Sequence, residues 1–119
     1  MGNYLLLAVS ISLAVIGQLL MKRGMQIFGT FPVKELLFKL VPMLLNPFVF
    51  LGLASFGFSA IIWLVVLSRM DLSLVYPMVS IGYIAVALLS WIFLGETVTA
   101  IRWVGIIIIC LGVILISRS

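Results

Sequence analysis

The hydrophobic residues of this chain are concentrated in four long stretches that contain no charged side chain. These stretches cover residues 4–21, 43–68, 72–95 and 103–117. Because an α-helix rises about 1.5 Å per residue, roughly 20 residues cross a hydrocarbon core about 30 Å thick. The fourth stretch reaches that length only if residues 98–101 join it and Arg102 extends its charged end to the headgroups.

This pattern predicts an all-α membrane protein, because strands spliced into such runs would leave backbone groups unpaired in lipid. We expect a single domain over residues 1–119 that forms a four-transmembrane-helix bundle. The expected helices lie at about 3–22, 46–69, 72–94 and 98–117. The first stretch lacks a basic start and a small-residue cleavage pattern, so it is interpreted as a retained helix rather than a secretory signal.

The connection between the first two spans contains a short amphipathic segment at 33–41. Lys34 and Lys39 occupy one side of this segment, and its apolar residues recur at helical spacing on the other. The apolar residues are Val33, Leu36, Leu37, Leu40 and Val41. We expect a helix in the plane of the lipid headgroups, and an interfacial linker is favoured over a more specific role.

Local signals mark the ends of the other helices. Asn46 followed by Pro47 predicts the start of the second span, since Asn caps helices and Pro fits the first turn. Asp71 is a candidate N-cap of the third span, and Gly95 is expected to end it.

Composition strengthens the membrane interpretation and excludes several function classes. Of 119 residues, 66% are hydrophobic and 8% charged, which is too apolar for a soluble domain of this size. The sequence has no His, and its single Cys110 lies in the fourth apolar stretch. We therefore expect no metal site, no cofactor and no catalytic constellation, so the protein is predicted not to be an enzyme and to bind no nucleic acid.

The basic residues are distributed unevenly between the two sides of the predicted bundle. Arg69 and Arg118 lie on the side of the chain termini. The other side carries Lys22, Arg23, Lys34, Lys39 and Arg102. Because basic residues accumulate in cytoplasmic loops, this bias favours both termini outside and the long first loop in the cytoplasm.

Three of the four predicted helices carry a line of polar residues at helical spacing. These lines are Ser10, Gln18 and Lys22 in the first helix, Ser55, Ser59 and Trp63 in the second, and Tyr76, Ser80 and Tyr83 in the third. Within lipid, such side chains face protein or a wet cavity. Helix-to-helix packing is favoured for the serines of the first two helices. A cavity is favoured for Gln18, Lys22 and Tyr76, which we expect at similar depth near one end.

The fourth helix has no polar face, so it is assigned to dimerisation rather than to a transport path. Gly105 and Gly112 lie seven residues apart on one stripe that another helix could approach closely, although packing within the chain is the alternative. Pro77 and Gly82 in the third helix form either a hinge or a packing irregularity. Four helices enclose little room for a solute, so a homodimer or a heterodimer with a related small subunit is expected.

Three segments show a resemblance to a known group of transporters. They read VIGQLLMK at 15–22, IWLVVLSRMDLSLVYPMVS at 62–80 and FLGETVTAIRWVGIIIICLGVILI at 93–116. With them the chain resembles the drug/metabolite transporter superfamily, within the EamA-like and small-multidrug-resistance group, over nearly its whole length. It is most similar to the small subunits of flippases for 4-amino-4-deoxyarabinose linked to undecaprenyl phosphate. The resemblance implies a multi-pass protein of the bacterial inner membrane.

Departures from the small multidrug exporters bear on the substrate. Those exporters use a glutamate in the first helix and a tryptophan in the third, and the aligned positions here are Ala14 and Val79. Asp71 and Glu96 lie at helix ends, where a cap or boundary charge is the simpler interpretation. Without a carboxylate within the membrane segments, proton-driven cation export is poorly supported. The alternatives that stay open are a small multidrug or polyamine-type cation exporter and a non-transporting membrane partner of a glycosyltransferase.

The favoured hypothesis is translocation of a polyisoprenyl-phosphate-linked sugar, with membrane lipids and this lipid-linked substrate as partners. Lys22, with Arg23, would contact the phosphate through charge-assisted hydrogen bonds. Gln18, Tyr76 and Ser80 would offer donors and acceptors to sugar hydroxyls. Trp63 or Tyr83 would supply a flat apolar wall.

Overall fold

Four apolar helical spans account for most of the chain in the computed structural model, which describes residues 2–119. The elements are α1 (Gly2–Phe28), a 3₁₀ turn (Val33–Glu35), α2 (Leu36–Leu45), α3 (Pro47–Leu67), α4 (Leu72–Met78), α5 (Ser80–Phe93) and α6 (Ala100–Ser117). The first, second and fourth spans are α1, α3 and α6, and α4 with α5 forms the third over Leu72–Phe93. No strand occurs among these described residues, so the predicted all-α membrane bundle is confirmed.

The beginnings of the helices depend on local chemistry. The Asn46 side chain accepts hydrogen bonds from the backbone N–H groups of Phe48 (3.0 Å) and Val49 (3.4 Å), as expected for the cap of α3. Thr99 Oγ1 accepts from Arg102 N at 3.2 Å and caps α6. Asp71 is the N-cap residue of α4, as predicted, but only its backbone carbonyl accepts hydrogen bonds in the first turn, and its side chain forms no cap hydrogen bond.

The segment α2 presents most of its apolar side chains outward. None of its residues is buried, and the side chains of Leu37 and Phe38 are 82% and 83% exposed. The apolar run continues through Pro42 to Leu45, beyond the predicted end at residue 41. Such a surface is compatible with a helix that rests on the headgroup layer, next to the start of α3.

The tightest packing in the molecule joins α1 and α3 in an antiparallel pair. Ser59 Oγ donates to the Ser10 carbonyl at 2.7 Å, and Ser10 Oγ donates to the Ser59 carbonyl at 3.0 Å. Farther along, Gly17 and Gly52 meet so closely that a Cβ on either would lie 2.6 Å from the carbonyl oxygen of the other. We call this contact the α1–α3 seam. It confirms helix packing as the role of Ser10 and Ser59.

The third span is not continuous, because it breaks at Val79 between α4 and α5. Pro77 has no N–H to donate to the preceding turn, which removes one hydrogen bond close to the break. Gly82 follows at the start of α5, where an added Cβ would lie 3.1 Å from the Ile11 side chain and 3.4 Å from that of Val15. The break is thus accompanied by a close approach of α5 to α1.

The α6 helix lies at the edge of the bundle and is the least buried span. Val113 is its one buried residue, and a Cβ added at Gly105 or Gly112 would meet no atom within 4 Å among the described residues. A T-shaped contact between Trp91 and Trp103, with ring centroids 5.8 Å apart, joins α6 to α5. The glycine stripe therefore has no partner helix within the described chain.

Candidate functional site

A cleft of about 330 Å³ lies between α1, α3 and the broken third span. Most of its wall is aliphatic, and polar side chains interrupt that wall at intervals. The polar and aromatic lining residues are Ser10, Gln18, Phe56, Ser59, Trp63, Tyr76 and Tyr83. We call this space the main cleft. Tyr76 and Tyr83 keep 65% and 56% of their surface exposed, so the cleft is open along the side of the third span.

The helices hold these side chains in place through contacts described above. The Ser10–Ser59 hydrogen bonds fix the floor of the cleft, because both hydroxyls are engaged with the opposite helix. The break at Val79 separates the turns that carry Tyr76 and Tyr83. The phenols therefore belong to two helical segments, whereas Gln18 lies on the continuous helix α1.

The residues predicted to bind substrate divide into two groups in the structure. Four of them line the main cleft together, namely Gln18, Trp63, Tyr76 and Tyr83. Lys22, Arg23 and Ser80 do not line it. Lys22 and Arg23 are exposed near the end of α1, and Ser80 is partly buried directly after the break.

The expectation that Gln18, Lys22 and Tyr76 lie at similar depth is wrong. The neighbours of Tyr76 in α4, Val75 and Met78, pack against Leu7 near the start of α1. From Leu7 to Lys22 the helix rises about 22 Å at about 1.5 Å per residue. The first and third spans run in the same direction, so Tyr76 near the start of one and Lys22 near the end of the other lie toward opposite ends.

A second cavity of about 250 Å³ continues the main cleft toward the Lys22 end. The two spaces share Gln18, Tyr83 and Val86 in their walls. The second cavity adds Ser90 from the end of α5, Glu96 from the following loop and Arg102 from α6, and we call it the polar pocket. Sequence reasoning missed these three residues as site candidates.

The loop after α5 brings Glu96 back over the bundle. Gly95 has φ +70°, a backbone conformation that residues with a side chain rarely adopt, and it turns the chain. The backbone N–H of Glu96 then donates to the Ser90 carbonyl at 3.2 Å. The Gly-Glu sequence was the available signal, but it was interpreted only as a helix end with a boundary charge.

An ion pair connects the polar pocket to α1. Lys22 Nζ lies 3.7 Å from Glu96 Oε2, with the two side chains 55% and 39% exposed. Exposed pairs of this kind contribute about 0–1 kcal/mol to stability, so the pairing is readily exchanged. The contact places the end of α1 and the α5–α6 loop at the same end of the bundle.

The lining of the main cleft is suited to binding a polar or aromatic ligand. Residues 2–119 contain no group of His, Cys, Asp and Glu that could hold a metal ion. Hydroxyls, an amide and aromatic faces line the main cleft, and its lining includes no carboxylate. Charged groups lie at its Lys22 end instead, on the polar pocket and around its rim.

Comparisons with known proteins identify relatives of this chain. The model of the EamA-like transporter family matches residues 4–118. A "probable 4-amino-4-deoxy-L-arabinose-phosphoundecaprenol flippase subunit ArnE" of Proteus mirabilis (strain HI4320) is 36% identical over 122 residues, covering 100% of this chain and 99% of the relative. Proteins with the same name from Yersinia pestis (strain Pestoides F) and Yersinia pseudotuberculosis (serotype O:1b, strain IP 31758) are 32% identical, covering 98% of this chain and 97% of each relative.

No solved structure matches the chain. The family match extends over almost the whole length, and the relatives align from end to end. Four apolar helices agree with a multi-pass membrane protein. On these grounds the chain belongs to the EamA-like transporter family.

Proposed function

We propose that this chain is a subunit of a flippase that moves a polyisoprenyl-phosphate-linked sugar across the bacterial inner membrane. The sugar is of the aminoarabinose type and the carrier of the undecaprenyl phosphate type, the class that the names of the relatives state. The observation that carries the proposal is the main cleft. It lies between membrane helices, has polar side chains within an apolar wall and is open along the side of the third span. A lipid tail can stay in the bilayer while its headgroup occupies such a cleft.

The physical need for the cleft follows from the cost of moving a sugar through hydrocarbon. Each hydroxyl that loses its hydrogen bonds costs about 2–7 kcal/mol, and a bare phosphate charge costs far more. Side-chain donors and acceptors along the path replace part of that lost hydration. No bond is made or broken in this process, so the proposal includes no catalytic residue and no cofactor.

The sugar would bind along the main cleft. Gln18 and Tyr76 would exchange hydrogen bonds with its hydroxyls, and Trp63 and Tyr83 would provide flat apolar surfaces against the ring. Ser80 would join them only after the third span changes shape at Val79, since it lies outside the cleft in this conformation.

The phosphate would bind at the Lys22 end. Lys22 and Arg23 are exposed there, close to the polar pocket, and offer charge-assisted hydrogen bonds to phosphate oxygens. The headgroup would therefore lie with its phosphate at the rim beside Lys22 and Arg23 and its sugar reaching through the polar pocket into the main cleft.

A second subunit would complete the site. A cleft of about 330 Å³ is at the small end of ligand sites, which measure about 300–1,000 Å³, and one wall is missing where Tyr76 and Tyr83 are exposed. The partner would be a second copy or a related small subunit, held through α6 at the Gly105–Gly112 stripe.

Reconstitution tests the proposal. The chain is purified as the oligomer that it forms in mild detergent and is placed in liposomes with a radiolabelled polyisoprenyl-phosphate aminoarabinose. Impermeant periodate outside the vesicles then cleaves the sugar diols that reach the outer leaflet. We expect cleavage to pass the outer-leaflet half and approach completion, whereas a rate equal to that of protein-free vesicles would refute a flippase formed by this chain alone.

A charge variant tests the phosphate role. Lys22→Ala should weaken binding of the lipid-linked sugar phosphate roughly ten- to a hundredfold, the range expected for a hydrogen bond to a charged group. Lys34→Ala is the matched control, because Lys34 is an exposed cation in the turn before α2, away from the cleft. Equal affinity of Lys22→Ala and the parent would assign the phosphate to other residues, provided that both remain dimeric.

A further inference from the structure

Glu96 has a position that the other acidic residues of the chain do not share. The sequence contains three Asp and Glu residues, which are Glu35, Asp71 and Glu96. Of these, only Glu96 lines the polar pocket, and none lines the main cleft. A carboxylate at the end of a sugar-binding space is a binding group for a cation.

The surroundings of Glu96 form part of a built site. Ser90 beside it is only 7% exposed and lines the same pocket. The Ser90 carbonyl accepts hydrogen bonds from Leu94 N and Glu96 N, which hold the loop that carries Glu96 against the end of α5. Gln18 extends the polar lining from Glu96 to the main cleft.

The Glu96 carboxylate already pairs with a primary ammonium group, that of Lys22, in this conformation. Lys22 Nζ lies 3.7 Å from Glu96 Oε2. Arg102 also lines the pocket, but its Nη1 donates to the Thr97 carbonyl at 3.2 Å, and it forms no ion pair with Glu96 within the described chain. Glu96 thus has one cationic partner, and that partner is a flexible and exposed side chain.

We propose that Glu96, with Ser90, is the subsite that recognises the ammonium group of an amino sugar, and that Lys22 occupies it until the substrate arrives. This inference rests on the proposed flippase function and names the residues that recognise the amino group of its substrate class. The sugar ammonium is the same chemical group as the lysine ammonium, so one replaces the other at the carboxylate. Lys22 is then free to bind the phosphate. The sugar ammonium pairs with Glu96 and the phosphate with Lys22, so each charged group of the headgroup has a partner of opposite charge.

The exchange explains how the site selects a zwitterionic headgroup. A neutral sugar leaves Lys22 held by Glu96, so its phosphate competes with a carboxylate for the lysine. An amino sugar releases the lysine by taking its place. Discrimination between an amino sugar and a neutral sugar therefore arises from two contacts and not from the shape of the sugar. The sugar ammonium replaces Lys22 at Glu96, and the phosphate gains Lys22.

Two synthetic probes test the inference in proteoliposomes. One is a polyisoprenyl-phosphate 4-amino-4-deoxyarabinose, and the other is the arabinose analogue with a hydroxyl in place of the ammonium. Both keep a diol that external periodate cleaves. We expect the parent protein to move the amino probe about tenfold faster or more, since a charge-assisted hydrogen bond distinguishes the two probes by at least that factor.

Glu96→Gln should reduce this preference to within about threefold, because the amino probe loses its carboxylate partner. The hydroxyl probe should move at least as fast as in the parent, since its phosphate no longer competes with Glu96 for Lys22. Transport of the hydroxyl probe also reports that the variant is folded. Ser90→Ala should lower the preference in the same direction by a smaller factor. Glu35→Gln is the matched control in the turn before α2, and it should keep the preference of the parent.

The outcomes separate the two proposals. A Glu96→Gln protein that retains the tenfold preference overturns the ammonium subsite and leaves the flippase standing, as does a parent that moves both probes equally. A Glu96→Gln variant that loses both probes in equal measure assigns Glu96 to structure, which also overturns the subsite. A parent that moves neither probe overturns a flippase formed by this chain alone, and the subsite with it.

Discussion

The α1–α3 seam makes a quantitative prediction at Gly52. A Cβ at this position would lie 2.6 Å from the Gly17 carbonyl oxygen and 2.8 Å from the Met21 backbone nitrogen. Ordinary van der Waals contact begins near 3.4 Å, so Gly52→Ala must move the two helices apart by about 0.8 Å locally. Backbone atoms cannot swing aside as a flexible side chain would.

The change in stability that Gly52→Ala causes is the result of two opposing effects. Forcing an extra methyl into a packed interface costs about 1–3 kcal/mol. Replacing Gly by Ala within a helix gains up to about 1 kcal/mol through helix propensity. Gly57→Ala is the matched control, because Gly57 lies on the same helix and a Cβ there meets nothing within 4 Å. The difference between the two variants isolates the clash, and we expect Gly52→Ala to be less stable by about 1–3 kcal/mol.

Reversible unfolding in mixed micelles measures this difference. The protein is titrated with an increasing mole fraction of a denaturing detergent, and the emission of its three Trp residues follows the transition. A deficit of about 1–3 kcal/mol corresponds to roughly a 5- to 150-fold change in the unfolding equilibrium constant at 25 °C. If both variants unfold at the same midpoint, the backbones do not meet at Gly17 and Gly52, and the seam described above is wrong.

Three further changes test other parts of the structure. Ser10→Ala and Ser59→Ala should each destabilise the bundle by about 0.6 kcal/mol, and an unchanged stability in both variants would mean that the hydroxyls do not bond across the seam. A double-mutant cycle should also show coupling through the 3.3 Å contact between the two hydroxyls, and additive losses would mean that each acts only through the opposite carbonyl. Leu at both Gly105 and Gly112 should abolish the dimer in cross-linking experiments while the monomer keeps its helicity, and an intact dimer would exclude this stripe as the interface. Pro77→Ala should restore a helical hydrogen bond, raise stability and slow flipping, whereas unchanged flipping would make the bend a packing irregularity.

Much of the fold was predictable because it depends on local chemistry. The lipid-facing surfaces produce uninterrupted apolar runs, and Asn46 with Pro47 forms the predicted start of α3 through the side-chain hydrogen bonds of Asn46. The broken third span was signalled by Pro77, and the break falls two residues later at Val79, close to where α5 approaches α1 at Gly82.

The site was predicted less completely, since it depends on which helix ends meet. The polar pattern placed Tyr76 and Lys22 at one depth. Consecutive spans run in opposite directions, so the first and third run in the same direction, and counting spans would have placed the start of one and the end of the other at opposite ends. Glu96 was interpreted as a boundary charge because periodicity describes helices and not the path of the loop that follows Gly95. The Ser10–Ser59 bonds likewise depend on the register between two helices, which neither helix specifies alone.

The exposed position of α6 has a consequence for how a transporter of this kind diversifies. In the arrangement proposed above, the residues that would select a partner lie on the outer stripe of α6, whereas those that would contact the sugar lie mainly on α1, α3, α4 and α5. A duplicated gene could therefore acquire substitutions at Ile101, Ile108 or Leu115, which are all highly exposed, without altering the cleft. The selection of a partner subunit and the selection of a substrate can then evolve separately. A homodimeric ancestor can therefore give rise, in small steps, to two related subunits that form only a heterodimer.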